Sequence, residues 1–249
     1  MLGLTFNTND VRIPRVLCLG AHSDDIEIGC GATILKLAAD VQDLSIYWVV
    51  FSANFERKEE AYNSANAFLG GVTSKNIILH SFRDGYFPYN GAEIKECFER
   101  IKLDFSPDII FTHYRNDLHQ DHRMISELTW NTFRNHLILE YEIPKYDGDF
   151  GSPNIFVPLD KFICQRKIKY ILDFFKTQKE KHWFSDDLFL AILQLRGMEA
   201  NAPSRYAEAF YGRKILLGPS PHSKGEARRS GGMNMFYGKQ DLLDRNLVE

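Results

Sequence analysis

Two short stretches hold the residues best suited to chemistry, Ala21-His22-Ser23-Asp24-Asp25 and Asp117-Leu118-His119-Gln120-Asp121-His122. In the first, an imidazole stands three positions from a carboxylate, with a second carboxylate beside it. Imidazole nitrogens and carboxylate oxygens suit zinc, and a catalytic zinc commonly keeps three protein ligands and an open position. His22 and Asp25 supply two donors. The third must come from elsewhere, and His122 is the natural candidate, with His119 three positions before it. If Asp25 is a ligand, Asp24 is free to accept a proton from a water whose pKa the metal lowers toward ~7. His119, if it is not a ligand, is suited to stabilise an oxyanion on the far side of a reacting carbonyl and to protonate a leaving amine. Asp121 would then orient one of the histidines. The plainer reading makes both stretches polar strand ends whose Asp and His side chains cap backbone amides.

The elements around the two stretches favour the first reading. Residues 15–21 read as a buried strand ending at His22, with a helix over 30–40. Leu44 to Phe51 is β-branched and aromatic and reads as a second strand. Arg57 to Leu69 reads as a helix closed by Gly70-Gly71. A third strand over 76–82 ends in the turn Arg83-Asp84-Gly85. A helix follows over 92–105, then a fourth strand over 108–113. The order β-α-β-α-β-α-β with short connections predicts an α/β fold, a Rossmann-like open sheet, mostly parallel, with helices on both faces. In such sheets ligands bind outside the carboxyl ends of the strands. His22, Asp24, Asp25, Ser52, Asp84 and the 113–122 cluster then share one edge.

The second half is less regular. Helices are expected over 122–134, 160–178 and 185–196, strands over 137–143 and 154–158, and a last strand or extended segment over 206–217. Residues 1–217 read as one α/β domain and 218–249 as a polar, glycine-rich tail. Tyr141, Tyr146, Trp183, Phe184 and Tyr206 have a composition that suits either stacking on sugar faces or ordinary packing.

Other signals are weaker. Gly29 and Gly31 resemble part of a dinucleotide fingerprint, but Ile34 stands where its third glycine belongs, which favours close helix–sheet packing. Asp84 is either a turn residue or faces a substrate. Arg57 heads a helix, where its charge opposes the dipole; it either binds substrate or is solvated. His113 either supports the site or merely ends its strand. His80 and His136 read as structural, His182 and His222 as surface residues. The net charge of −3 gives no reason to expect a nucleic-acid or membrane partner. No apolar run of about 18 residues is present, and the first ten residues lack the features of a secretory signal. The scattered cysteines 18, 30, 97 and 164 fit a reduced, cytoplasmic setting.

These residues resemble the PIG-L/LmbE family of zinc-dependent de-N-acetylases. Its first motif, Ala-His-Pro-Asp-Asp before a Gly-rich helix start, is matched by Ala21-His22-Ser23-Asp24-Asp25 and Gly29-Cys30-Gly31-Ala32-Thr33-Ile34. Its second, Asp-x-His-Pro-Asp-His-Arg, is matched by Asp117 to Arg123. Weaker similarities are Arg57-x-x-Glu60-Ala61, Asp84-Gly85 and Tyr206-Ala207-Glu208-Ala209-Phe210. The resemblance implies zinc, or another divalent metal such as Fe²⁺, on His22, Asp25 and His122. It implies Asp24 as general base, His119 as the oxyanion-stabilising or acid group, and Asp84 and Arg57 near the sugar. Ser23 and Gln120 replace the usual prolines, which bears on loop rigidity rather than chemistry. The expected function is removal of the N-acetyl group from an amino sugar or its conjugate, with a small-molecule partner and a possible homo-oligomeric state. The alternatives are a zinc amidase acting on a non-sugar or thiol-conjugate amide, and a nucleotide-binding module without hydrolysis.

Overall fold

The computed structural model describes residues 14–216. A seven-stranded sheet runs through them, with strands β1 (Arg15–His22), β2 (Ser45–Ser52), β3 (Ser74–Leu79), β4 (Ile109–His113), β5 (Leu137–Tyr141), β6 (Ile155–Pro158) and β7 (Ala207–Gly212). Their spatial order is β3-β2-β1-β4-β5-β7-β6. The first five are parallel. β7 lies antiparallel between β5 and β6, so the sheet is parallel except at one edge. The helices are α1 (Asp25–Asp40), α2 (Phe55–Phe68), α3 (Gly91–Asp104), α4 (Gln120–Thr132), α5 (Lys161–Phe174) and α6 (Asp186–Glu199). Among the described residues no helix is long and apolar enough to cross a membrane. The expected tail, 218–249, lies outside the described residues.

Alternation along the central strands builds two cores. Val16 and Cys18 of β1, with Ile46, Trp48 and Val50 of β2, face α1, α2, α5 and α6. Leu17, Leu19 and Ala21, with Val49 and Phe51, face α3 and α4. A strand buried on both sides carries no polar side chain along its buried run, as β1 shows from Val16 to Ala21. The chain winds outward from β1 through β2 to β3, then returns to lay β4 on the other side of β1. The order reverses between β1 and β4, the point at which open parallel sheets place their ligands beyond the strand ends.

α1 begins at Asp25, five residues before the expected start at 30. Two glycines argue against an early start on propensity alone, each costing about 1 kcal/mol relative to alanine. Packing decides otherwise. A Cβ on Gly29 would lie 2.2 Å from the Tyr141 ring, and one on Gly31 would lie 2.6 Å from Phe68. The pair serves close packing, as the sequence suggested. The earlier start has a consequence for the site, because Asp24 becomes the N-cap and Asp25 the first residue of the helix. The long helix expected over 160–178 is instead α5 followed by a separate 3-10 turn, Lys176–Gln178.

α1 is also fixed from outside. Lys167 of α5 and Glu208 of β7 form a buried ion pair at 2.6 Å. Lys167 Nζ donates to the Ile28 carbonyl oxygen at 2.6 Å. Glu208 accepts from the N–H groups of Ala32 and Thr33 at 2.9 and 2.6 Å. Ile28 and Ala32 are the two ends of one i→i−4 rung, so the pair is seated on the ladder of the helix that carries Asp25. Lys167→Met leaves the buried Glu208 without its ion-pair partner, and is expected to lower the unfolding free energy by about 3–5 kcal/mol in urea titrations. Lys167→Met combined with Glu208→Gln should recover much of that loss.

Candidate functional site

His22 ends β1 and His113 ends β4, on the two neighbouring strands of the reversal point. The turn into α1 brings Asp25 back over the strand end, where its Oδ2 accepts from the His22 N–H at 2.6 Å. The loop after β4 leads into α4, whose first turn points His122 at the same place. His22 Nδ1 lies 3.1 Å from His122 Nε2 and 3.3 Å from Asp25 Oδ2. Asp25 Oδ2 lies 3.6 Å from His122 Nε2. Tetrahedral donors about 2.1 Å from an ion stand roughly 3.4 Å apart. The three distances bracket that value.

Hydrogen bonds fix which ring atoms are available. Asp117 Oδ2 lies 2.9 Å from His122 Nδ1, so Nδ1 carries the proton and Nε2 presents its lone pair. A carboxylate behind a ligating histidine is the usual device for orienting it. Burial and the facing His113 push His122 down to about 3, so the ring stays neutral. His113 Nε2 accepts from the Ala21 N–H at 2.9 Å and stands 3.2 Å from Asp25 Oδ2. His113 therefore packs behind Asp25, its acceptor nitrogen already engaged. At His119 the Nδ1 accepts from the Asp121 N–H at 3.2 Å. That bond leaves the proton on Nε2. Burial, followed by the charge of His22, lowers the His119 pKa, which keeps it a neutral N–H donor.

Burial opposes protonation of His22, but the Asp25 charge and hydrogen bonds to Asp121, Asp25 and Asp84 carry its pKa well above 6.5. The same surrounding carboxylates would also attract a cation. Overlapping groups with donor atoms within 4.8 Å of one another include His22, His119 and His122; Asp25, His113 and His122; and His22, Asp84 and Asp121. His22 and His122 recur because they stand at the centre of the cluster.

Asp24 faces a different partner. Its Oδ1 accepts from Arg57 Nη2 at 2.7 Å, while its Oδ2 is buried without a hydrogen-bond partner. Burial pushes the Asp24 carboxyl up, against the pull of Arg57. Arg57 is thus neither solvated nor aimed at open space; Asn54 caps its helix by accepting from the Arg57 N–H. Asp84 is part of a turn, with Gly85 at φ +77°, and is also at the site, its Oδ1 3.0 Å from His22 Nε2. Asp121 Oδ2 accepts from Gly85 N–H at 2.7 Å and Oδ1 from Phe87 N–H at 3.1 Å, pinning that turn. Its Oδ2 also stands 3.4 Å from His22 Nε2. The structure therefore brings together His22, Asp24, Asp25, Arg57, Asp84, His119, Asp121 and His122.

Residues 17–133 match the PIG-L family model, described as GlcNAc-PI de-N-acetylase. The chain carries a PIG-L family domain. Both histidine–aspartate clusters and all of β1 to β4 except its first two residues lie inside the PIG-L match. An Escherichia coli (strain K12) protein named "Uncharacterized deacetylase YaiS" is 29% identical over 141 residues, 52% of this chain and 74% of that protein. The N,N'-diacetylchitobiose deacetylase of Pyrococcus horikoshii has the same fold, with a TM-score of 0.62 at 22% identity, over 80% of this chain and 83% of that one. So does GalB, the 4-carboxy-2-hydroxymuconate hydratase of Pseudomonas putida KT2440, with a TM-score of 0.60 at 15% identity, over 83% and 99%. Proteins named for two different reactions thus share the PIG-L-like architecture, so the reaction must be argued from the site.

Sequence reasoning gave Asp117 no role, although it stands in the motif two positions before His119. Lys145 left no signal. Its Nζ lies 3.0 Å from Asp117 Oδ2. The aromatic residues considered for sugar stacking are mostly unavailable. Tyr141 is fully buried, its hydroxyl donating to the Leu19 carbonyl oxygen. Phe184 is buried, and Trp183 and Tyr206 pack against the same core. Tyr146 is exposed. So are Phe55, Tyr86 and Leu118, each within two residues of a site residue.

Proposed function

We propose that the protein is a metal-dependent amide hydrolase that removes the N-acetyl group from an amino sugar or its conjugate. The observation that carries this reading is the convergence of His22 Nδ1, Asp25 Oδ2 and His122 Nε2, with Asp24, the residue before Asp25, keeping a buried and unpartnered Oδ2. His22, Asp25 and His122 would hold the ion; two imidazoles and a carboxylate suit Zn²⁺ or Fe²⁺. When bound, such an ion polarises a water or carbonyl oxygen and stabilises negative charge in the transition state.

The remaining steps belong to the chain. Arg57 holds Asp24 by one oxygen and leaves the other to take the proton of the attacking water. His119 Nε2–H donates to the oxygen on which charge develops. A neutral imidazole is too weak an acid to give up that proton outright, so the one taken by Asp24 goes on to the departing amine. Acetate and a free amine result. Asp84, on the exposed side of His22, is available to a sugar hydroxyl. Phe55, Tyr86 and Leu118, exposed and within two residues of Arg57, Asp84 and His119, would offer apolar faces to a substrate. The deacetylase names of the relatives support the same reading.

Acetate release from a panel of N-acetylated sugars, with Zn²⁺ or Fe²⁺ supplied, tests it. The expected result is turnover of at least one sugar and none of simple non-sugar acetamides. Turnover confined to non-sugar or thiol-conjugate amides would move the assignment to an amidase. Chelator-insensitive nucleotide binding without hydrolysis would reject it.

A further inference from the structure

We infer that Lys145 is a positioning residue for the metal centre, coupling the 142–153 loop to His122 through Asp117; this rests on the metal-centre reading above. Asp117 is almost fully buried and its carboxylate is shared three ways. Oδ1 accepts from the His119 N–H at 2.8 Å. Oδ2 faces His122 Nδ1 at 2.9 Å and Lys145 Nζ at 3.0 Å. Lys145 also pairs with Asp149 of its own loop, and Asp149 Oδ2 accepts from the Leu118 N–H at 2.7 Å. The loop thus grips both residues that precede His119, one through a side chain and one through the backbone.

The loop is held firmly at its other points. Glu142 takes two bonds from Arg196, at 3.0 and 2.7 Å, and one from the Tyr211 hydroxyl at 2.7 Å. Gly151 donates to the same hydroxyl at 3.0 Å, and its carbonyl oxygen accepts from Arg196 at 3.2 Å. With both ends fixed, the position of Lys145 is set by the loop rather than by Asp117. Lys145 therefore imposes the loop's geometry on Asp117, which sets the angle and tautomer of His122. It also supplies a positive charge opposite a carboxylate that neither His119 nor His122, as neutral rings, can neutralise. Tyr146, next in the chain, is exposed. A substrate pressing on Tyr146 would bear directly on the residue that orients the metal ligand.

Coupling of this kind is reciprocal. If the loop supports the metal, the metal must steady the loop by the same factor. The test uses the full chain and Zn²⁺ alone. Zinc affinity is measured by competition with a chromophoric chelator, and hydrogen exchange of the 142–153 amides is followed with and without Zn²⁺. In the unaltered protein zinc should slow exchange in this loop. Lys145→Met should weaken zinc binding by about tenfold, the low end for partners behind a ligand, and shrink the zinc-dependent slowing by a similar factor. Lys145→Arg should restore most of both. Asp149→Asn, which keeps Lys145, should give a smaller loss and carries the test if Lys145→Met does not fold. Unchanged zinc affinity together with unchanged zinc-dependent exchange in the variants would overturn the coupling alone. No zinc binding by the unaltered protein would overturn both this inference and the metal-centre reading. A purely structural lysine would lower thermal stability without moving zinc affinity.

Discussion

Asp24→Asn should lower turnover by about 10²–10⁴-fold, the range for a general base, while zinc stays bound at one ion per chain. In free energy this is roughly 3–5 kcal/mol of transition-state stabilisation. The change is nearly isosteric, and the Asn side-chain oxygen still accepts from Arg57. Asp24 is not among the three converging donors, so the metal has no reason to leave. What is lost is a basic oxygen that is buried and unpartnered, on the residue next to Asp25 in the chain. Paired measurements of steady-state rate and metal content check this. A variant with most of its turnover intact would remove Asp24 from the base role. A variant that lost its metal would instead place Asp24 among the ligands.

The second large effect is expected at His122. His122→Ala deletes a donor and leaves Asp117 and Asp25 facing each other across the gap with no imidazole between them. Bound metal should fall below detection after dialysis, and acetate release should drop to the uncatalysed background. Asp117→Asn should be milder, with metal affinity falling about 10–100-fold while the ligand itself remains. The order His122→Ala, then Asp117→Asn, then Lys145→Met follows from distance to the metal in bonds. Stripping the unaltered protein with a chelator should reproduce the His122→Ala phenotype and be reversed by added Zn²⁺ or Fe²⁺. If Asp117→Asn equals His122→Ala in metal loss, Asp117 is a ligand and the tautomer argument fails.

Much of this site could be read before the structure. His22, Asp24, Asp25, His119 and His122 announce themselves because each stands next to an apolar strand and because like donors recur at a spacing of three. The parallel core followed from the alternation of strands and helices. What stayed hidden depends on contacts that no local pattern encodes. Arg57 and Asp24 are 33 positions apart and meet only because β1 and β2 are neighbours. Lys145 lies in a loop whose composition says only that it turns. Gly29 and Gly31 are poor helix formers and hide the true start of α1, while the Tyr141 and Phe68 rings that require them come from elsewhere in the chain. The antiparallel insertion of β7 between β5 and β6 has no sequence signature either, since β6 and β7 are separated by two helices. Aromatic residues misled for a related reason. Tyr141 and Tyr146 look alike in sequence, yet one ends a buried strand and the other stands on an exposed loop.

One catalytic ion is expected on His22, Asp25 and His122. Anomalous diffraction at the zinc edge, from crystals grown with Zn²⁺, tests it most directly. A single strong peak per chain is expected, about 2.0–2.2 Å from His22 Nδ1, Asp25 Oδ2 and His122 Nε2. A peak between Asp84 and Asp121 on the Nε2 side of His22, or no peak at all in crystals of active protein, would contradict it.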